Sequence, residues 1–93
     1  MKRLELEEIK LRLEFLKLWS GNAEGIQRDV QFKDFKAALA KMVEIGIVAE
    51  KLNHHPEWTN VYNRLTIKLS THDAGGVTLK DFELAQEIEA LLL

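Results

Sequence analysis

The pattern of apolar and polar residues divides the chain into helical and extended segments. Apolar residues between Leu4 and Leu18 include the series Ile9, Leu13 and Leu16, whose spacing of three and four is that of one helix face. Leucine, glutamate and lysine dominate this segment and β-branched residues are nearly absent, which favours a helix over a strand. The sequence therefore predicts a first helix over residues 4–18, followed by a turn at residues 20–22.

Strict alternation of apolar and polar residues predicts two strands. The first runs from Ile26 to Phe32, spans about seven residues, and has an apolar face that only Arg28 interrupts. The second is longer and runs from Val61 to Thr71, with one face exposed to solvent.

Capping and breaking residues set the limits of two further helices. Asp34 can cap a second helix that begins near Phe35, and this helix must end before Pro56, because a proline keeps the preceding residue out of the α-helical region. Its broad apolar set predicts that it is the most buried of the helices. Thr78 and Asp81 have the spacing of a capping box at the start of a third helix.

Helices and strands in this order indicate an α+β fold with an antiparallel sheet in a single domain, residues 1–93. A chain this short buries only about 60–65% of its unfolded surface, so we expect it to self-associate. The formal net charge of −2 provides no basic surface for nucleic acid or an anionic membrane, and no apolar run is long enough for a transmembrane helix. With no cysteine and no export signal at the N-terminus, the expected compartment is the cytoplasm.

The candidate chemistry lies in the histidines. Two are adjacent and precede the only proline, and the third follows the long predicted strand. Together with two nearby acidic residues they form one candidate site: His54, His55, His72, Glu50 and Asp81. Histidine can both donate and accept a proton near neutral pH, so this group suggests acid–base chemistry or a metal site.

Spacing favours acid–base chemistry over metal binding. Adjacent His54 and His55 cannot point the same way on a regular helix or strand, and no cysteine is available as a ligand. A metal bound by His54, His72 and a carboxylate stays open as an alternative. If the second helix continues to Asn53, Glu50 lies one turn before His54 and can orient its imidazole. His72 would approach from the side of the sheet.

Each of these residues also has a purely structural interpretation. Glu50 can be a solvated helix residue, and Asp81 can serve only as a helix cap. Trp19, Trp58 and Tyr62 can pack in the core or an interface instead of stacking on a planar ligand.

A family resemblance extends the interpretation of these residues. The run Glu50-x-x-x-His54-His55-Pro56 followed by Tyr62, His72 and Asp81 resembles the motif of the pterin-4a-carbinolamine dehydratases. The neighbouring segments Phe32–Phe35, Asn60–Asn63, Ser70–Asp73 and Gly75–Thr78 are also similar to that family. The resemblance covers nearly the whole chain from about Trp19 onwards, and the first helix more loosely.

The resemblance implies a fold, a reaction and roles for residues. The implied fold is α-β-β-α-β-β-α, with three helices on one face of a four-stranded antiparallel sheet, short strands near Trp19 and Trp58, and assembly into homodimers or homotetramers. The implied reaction dehydrates 4a-hydroxytetrahydropterin to quinonoid dihydropterin, which recycles the tetrahydrobiopterin of aromatic amino-acid hydroxylases without a metal or organic cofactor. The implied catalytic residues are His54, His55 and His72, and the implied substrate-binding residues are Glu50, Pro56, Tyr62, Asp81 and Trp19.

An alternative from a different class is a non-catalytic binding or dimerisation module with the same fold. Some members of the family act as dimerisation partners of a homeodomain transcription factor in animals.

The resemblance does not divide the acid and base roles between His54 and His72.

Overall fold

The computed structural model describes residues 1–93. Its helices are α1 (Leu6–Leu13), α2 (Phe35–Leu52) and α3 (Leu79–Leu92). Its strands are β1 (Ser20–Asn22), β2 (Gly25–Gln31), β3 (Glu57–Val61) and β4 (Arg64–Leu69), and a 3-10 helix spans His72–Ala74. The order α-β-β-α-β-β-α confirms the expected α+β fold. None of the helices combines the length and the apolarity needed to cross a bilayer.

The four strands form one antiparallel sheet in the order β1-β2-β4-β3. In the β3–β4 pair, Glu57 lies opposite Lys68. The residues just before β3 therefore run beside the residues just after β4, because paired strands of opposite direction bring these two ends together. This register places the segment from His54 to Pro56 next to His72.

The core lies between the sheet and the three helices. Leu65, Ile67 and Leu69 point from one face of β4 into a cluster that also contains Ile9 of α1 and Leu84 of α3. All five side chains are at most 1% exposed. The intervening residues of β4 point to the opposite, polar face, since side chains alternate along a strand.

The first helix is shorter than the sequence predicts. The prediction of a helix over residues 4–18 is wrong at both ends, because α1 covers only Leu6–Leu13. Beyond it the amides of Glu14, Phe15 and Leu16 bond carbonyls three residues back instead of four. This tighter winding turns Leu16 into the core, where it is 8% exposed, and leaves Phe15 86% exposed.

The predicted long strand Val61–Thr71 is in fact a hairpin. Tyr62 has a φ of +52° and turns the chain between β3 and β4. The side-chain amide of Asn60 donates to the carbonyl of Tyr62 at 3.0 Å and to that of Arg64 at 2.9 Å, and Asn63 donates to the carbonyl of Phe32 at 2.9 Å. The alternation of apolar and polar residues continues across this turn, so periodicity alone does not reveal it. The short strand near Trp58 that the resemblance implies is present as β3. The turn predicted at residues 20–22 is similarly the short strand β1.

The long helix α2 begins as predicted but is not the most buried helix. Asp34 caps it by accepting a hydrogen bond from the amide of Ala37 at 2.8 Å. Only three of its residues are buried, whereas α3 has five. An apolar stripe of four partly exposed side chains remains on its outer side: Phe35, Leu39, Val43 and Ile47.

The residue that interrupts the apolar face of β2 is accounted for by an ion pair. Arg28 Nε donates to Glu89 Oε1 of α3 at 2.7 Å, and the indole Nε1 of Trp19 donates to the same oxygen at 2.7 Å. The charge therefore faces the helices with a partner, instead of lying unpaired in the core.

Candidate active site

Three elements meet at the corner of the sheet that carries the histidines. The helix α2 ends at Leu52, and its C-cap Asn53 has a left-handed conformation (φ +52°) that reverses the chain. The amide of His54 bonds back to the carbonyl of Ala49 at 3.0 Å. Pro56 then leads into β3. The start of α3 brings Asp81 to the same corner, so the three histidines, Glu50 and Asp81 lie close together there.

A buried hydrogen bond joins two of these residues. Nε2 of His54 lies 2.5 Å from Oδ1 of Asp81, whose side chain is fully buried, while that of His54 is 11% exposed. The prediction that Glu50 orients His54 is wrong, because Asn53 ends the helix and turns the His54 ring towards α3. The carboxylate beside His54 is that of Asp81.

The other oxygen of Asp81 has a structural role. Oδ2 accepts hydrogen bonds from the amide of Thr78 and from the hydroxyl of Thr71, each at 2.9 Å. The first of these bonds completes the predicted capping box at the start of α3. Asp81 therefore caps the helix with one oxygen and contacts His54 with the other, so it is more than a helix cap, and its substrate-binding role stays a prediction.

These contacts distinguish the two ring nitrogens of His54. An ionised carboxylate only accepts hydrogen bonds, so in the neutral imidazole Nε2 carries the hydrogen and Nδ1 carries a lone pair. Every buried side-chain nitrogen or oxygen in the chain has a hydrogen-bond partner. Nδ1 of His54 has no such partner, so it is not buried. Nδ1 is therefore open to solvent, and the ring presents a basic nitrogen to the outside while its other nitrogen is anchored.

Glu50 is paired with the second histidine. Its Oε1 lies 2.7 Å from Nε2 of His55, but the side chains are 80% and 57% exposed respectively. An ion pair this exposed is weak, since water screens it. Glu50 orients His55 at the surface.

Two adjoining cavities contain the three histidines. One has a volume of about 320 Å³ and is lined by Glu24, His55, Pro56, Glu57, Lys68, Ser70 and His72. The other has a volume of about 310 Å³ and is lined by Asn53, His54, His55, Ser70, Thr71, His72, Asp73 and Lys80. His55, Ser70 and His72 line both, so the cavities form one open, polar groove. We call it the histidine groove.

Two residues expected at the site lie elsewhere. Trp19 is 4% exposed in the core and bonds Glu89, and Tyr62 is 65% exposed at the β3–β4 turn. Neither lines the histidine groove. Within one chain the core holds Trp19 away from the groove and the hairpin turn carries Tyr62 away from it. The substrate contacts expected from these two residues stay predictions.

Sequence reasoning missed several residues of the groove. Glu24 and Lys68 line its wall, and Ser70 anchors the wall by donating to the carbonyl of Glu24 at 2.8 Å. Glu24 could not be found from spacing because it lies far away in the sequence. Thr71 could have been suspected, since it directly precedes His72. No group of three or more His, Cys, Asp or Glu residues is arranged to hold a metal ion.

Comparison with known proteins agrees with this geometry. The family model described as pterin 4 alpha carbinolamine dehydratase matches residues 2–91. A relative from Burkholderia multivorans, whose name assigns the pterin-4-alpha-carbinolamine dehydratase activity provisionally, is 50% identical over 91 residues, which cover 96% of this chain and 89% of the relative. A relative from Burkholderia lata with the same name is 51% identical over 89 residues, covering 94% and 87%.

A solved structure is similar over the whole chain. The crystal structure of a protein described as a transcriptional coactivator/pterin dehydratase from Brucella melitensis superimposes with a TM-score of 0.93 at 40% identity, covering 97% of this chain and 98% of that one. Both the sequence and the fold therefore lead to one conclusion: this chain belongs to the pterin 4 alpha carbinolamine dehydratase family.

Proposed function

We propose that the chain, acting as a single domain over residues 1–93, dehydrates a 4a-hydroxytetrahydropterin to a quinonoid dihydropterin and water. The observation that carries the proposal is the anchored imidazole of His54, whose free Nδ1 opens beside the groove that His55 and His72 line. Membership of the family supports the class of reaction. The histidine groove supports the location of the reaction on the chain.

The reaction moves two protons and two electron pairs. The N5–H bond of the pterin breaks, its electrons form the C4a=N5 double bond, the C4a–O bond breaks, and the departing hydroxide takes a proton and leaves as water. The ring nitrogen supplies the electron pair, so the protein has to accept one proton and donate another. Two histidines on one groove provide both functions.

The geometry favours His54 as the proton acceptor. Its Nδ1 lone pair takes the N5 proton, and Asp81, bonded to the opposite nitrogen, stabilises the imidazolium that forms, as the aspartate does in a Ser-His-Asp triad. His72 makes no side-chain hydrogen bond and is exposed on the 3-10 helix, so its ring is free to turn towards the leaving hydroxyl and donate.

The walls of the groove suit a pterin. A pterin ring presents several nitrogen and oxygen donors and acceptors along its edge, and the lining residues nearby are polar or charged. Glu50 orients His55 for a contact with this edge, and Pro56 supplies a small apolar surface. The enzyme that forms the substrate would be one that oxygenates a tetrahydropterin, such as an aromatic amino-acid hydroxylase.

The decisive assay follows the decay of freshly formed 4a-hydroxytetrahydropterin by stopped-flow absorbance. We expect the wild type to accelerate the decay and His54→Ala to lose about 10²–10⁴-fold of that acceleration, which is the usual contribution of an acid–base residue. Gln86→Ala, on the exposed side of α3, is the control and should behave as wild type. A wild type no faster than His54→Ala would refute the proposal.

The apolar stripe on α2 supports assembly into homodimers or homotetramers. Phe35, Leu39, Val43 and Ile47 recur every four residues and are 43–57% exposed, so a second copy of the same helix could cover them. Sedimentation of the purified chain tests this.

The same stripe favours a second candidate function, that of a binding module. The similar protein from Brucella melitensis is described as a transcriptional coactivator as well as a pterin dehydratase. A partner helix could occupy the α2 stripe independently of the histidine groove. A hetero-complex that survives His54→Ala but is lost in Ile47→Asp would support this function, and one that needs His54 would exclude it.

A further inference from the structure

A chain of hydroxyl groups lies behind the His54–Asp81 pair. Oγ1 of Thr71 lies 2.9 Å from Oδ2 of Asp81 and 2.7 Å from Oγ1 of Thr78, and the latter oxygen accepts a hydrogen bond from the amide of Lys80 at 3.2 Å. Thr78 and Asp81 are fully buried and Thr71 is 9% exposed. Water therefore does not compete for these bonds.

Counting hydrogens assigns a direction to this chain. Each hydroxyl has one hydrogen, and ionised Asp81 has none to give. If Thr71 donates to Asp81, Thr78 donates to Thr71, and every polar atom in the network is satisfied, in agreement with the absence of unbonded buried atoms. In the reverse direction Asp81 Oδ2 would lose a donor, and the Thr78 hydrogen would have no acceptor.

We propose that Thr71 is a positioning residue for the reaction, because its hydroxyl holds Asp81 so that Oδ1 keeps His54 in the tautomer with hydrogen on Nε2. Three donors converge on the carboxylate, namely the Thr71 hydroxyl, the Thr78 amide and His54 Nε2. Of these, only the Thr71 hydroxyl can be removed without changing the backbone or a histidine. Its catalytic consequence rests on the proposed function, whereas its effect on the tautomer does not.

The main chain of Thr71 adds a second link. Its amide bonds the carbonyl of Gly76 at 2.9 Å, and its carbonyl accepts from the amide of Ala74 at 3.1 Å. These bonds fix Thr71 at the start of the 3-10 helix that carries His72. The side chain of Thr71 thus contacts the Asp81 that holds His54, while its backbone fixes the 3-10 helix that carries His72.

The test compares Thr71→Val, which keeps the shape and loses the hydroxyl, with Thr71→Ser, which keeps the hydroxyl. Nitrogen-15 chemical shifts of the imidazoles report the tautomer of His54 directly. We expect the Nε2–H form alone in wild type and Thr71→Ser, and a mixture of both tautomers in Thr71→Val. The matched control is Thr66→Val, on the polar face of β4, and it should leave the spectrum unchanged.

Steady-state kinetics give the second measurement. In Thr71→Val we expect kcat to fall about tenfold with KM changed less than twofold, because a hydrogen bond to a charged group is lost away from the substrate. Thr71→Ser should restore kcat to within about twofold, since one charged hydrogen bond accounts for the loss. A Thr71→Val protein with the wild-type tautomer overturns the proposal, whatever its activity.

The two proposals fail separately. If the wild type has no dehydratase activity but Thr71→Val mixes the tautomers, the proposed function is wrong and the positioning role stands. If Thr71→Val does not fold, the wild type still decides, because a buried hydroxyl that donates to a carboxylate has a slowly exchanging proton visible by NMR. A Thr71 hydroxyl proton that exchanges rapidly, or that points to Thr78, overturns the positioning role.

Discussion

Replacing Asp81 by asparagine should reverse the tautomer of His54. The two residues have the same shape, but one oxygen becomes an NH2 donor. The backbone amide of Thr78 is a fixed donor 2.9 Å from Oδ2, so the asparagine oxygen has to stay on that side. Its NH2 group then faces His54, whose Nε2 must become an acceptor. The hydrogen moves to Nδ1, and the lone pair proposed to take the substrate proton is lost.

The magnitude follows from the bonds that change. A wrong tautomer costs about 10⁴ in kcat when the same substitution is made in a Ser-His-Asp triad. Three hydrogen bonds to a charged carboxylate become bonds to a neutral amide, and each contributes about 1 kcal/mol less to stability. A buried neutral amide costs less desolvation free energy than a buried carboxylate, which offsets part of this loss. We expect unfolding to become about 2 kcal/mol easier, which lowers Tm by about 8–16 °C in a chain of this size.

The assay combines stopped-flow decay of 4a-hydroxytetrahydropterin, imidazole nitrogen-15 shifts and thermal unfolding. Asp29→Asn, at an exposed site on β2, is the matched control and should match wild type in all three. A folded Asp81→Asn protein that keeps hydrogen on Nε2 of His54, or that retains more than a tenth of the wild-type kcat, would contradict this prediction.

Three further predictions concern the exposed Glu50–His55 pair, the α2 stripe and two glycines of positive φ. Glu50→Gln should lower kcat by no more than about threefold in the same assay, because its pair with His55 is largely exposed; a loss as large as that of Asp81→Asn would contradict the assigned roles. Ile47→Asp should shift the chain to monomers in sedimentation, and unchanged assembly would exclude the stripe as the interface. Gly21→Ala should destabilise by about 3 kcal/mol and Gly75→Ala by about 1 kcal/mol in urea unfolding. Both have positive φ, but only at Gly21 would the new Cβ lie 2.2 Å from a backbone oxygen, so equal losses would contradict this account.

The sequence predicts the parts of this molecule that depend on local chemistry. The cap at Asp34, the capping box at Thr78 and the strand near Ile26 follow from short-range patterns, and the structure confirms them. Prediction from the sequence fails where two local interpretations of the same residues are equally good. The spacing of Glu50 and His54 suits an uninterrupted helix, but the left-handed conformation of Asn53 redirects the chain.

Long-range contacts account for the remaining differences. Asp81 has an adequate local explanation as a cap, so nothing in the sequence shows that its second oxygen meets His54. Alternation through Tyr62 predicts one long strand, and only the side-chain bonds of Asn60 and Asn63 reveal the turn. The roles of these residues depend on tertiary neighbours that a pattern of apolar positions does not specify.

Asp81 both caps α3 and holds the His54 ring. Local unfolding of the first turn of α3 and release of the His54 imidazole are therefore one and the same equilibrium. When the first turn of α3 frays, the carboxylate leaves both the Thr78 amide and the His54 ring. The exchange rate of that one amide hydrogen therefore reports the fraction of molecules whose histidine is unanchored. A ligand that steadies the imidazole should also protect the helix end, although it touches no part of the helix backbone.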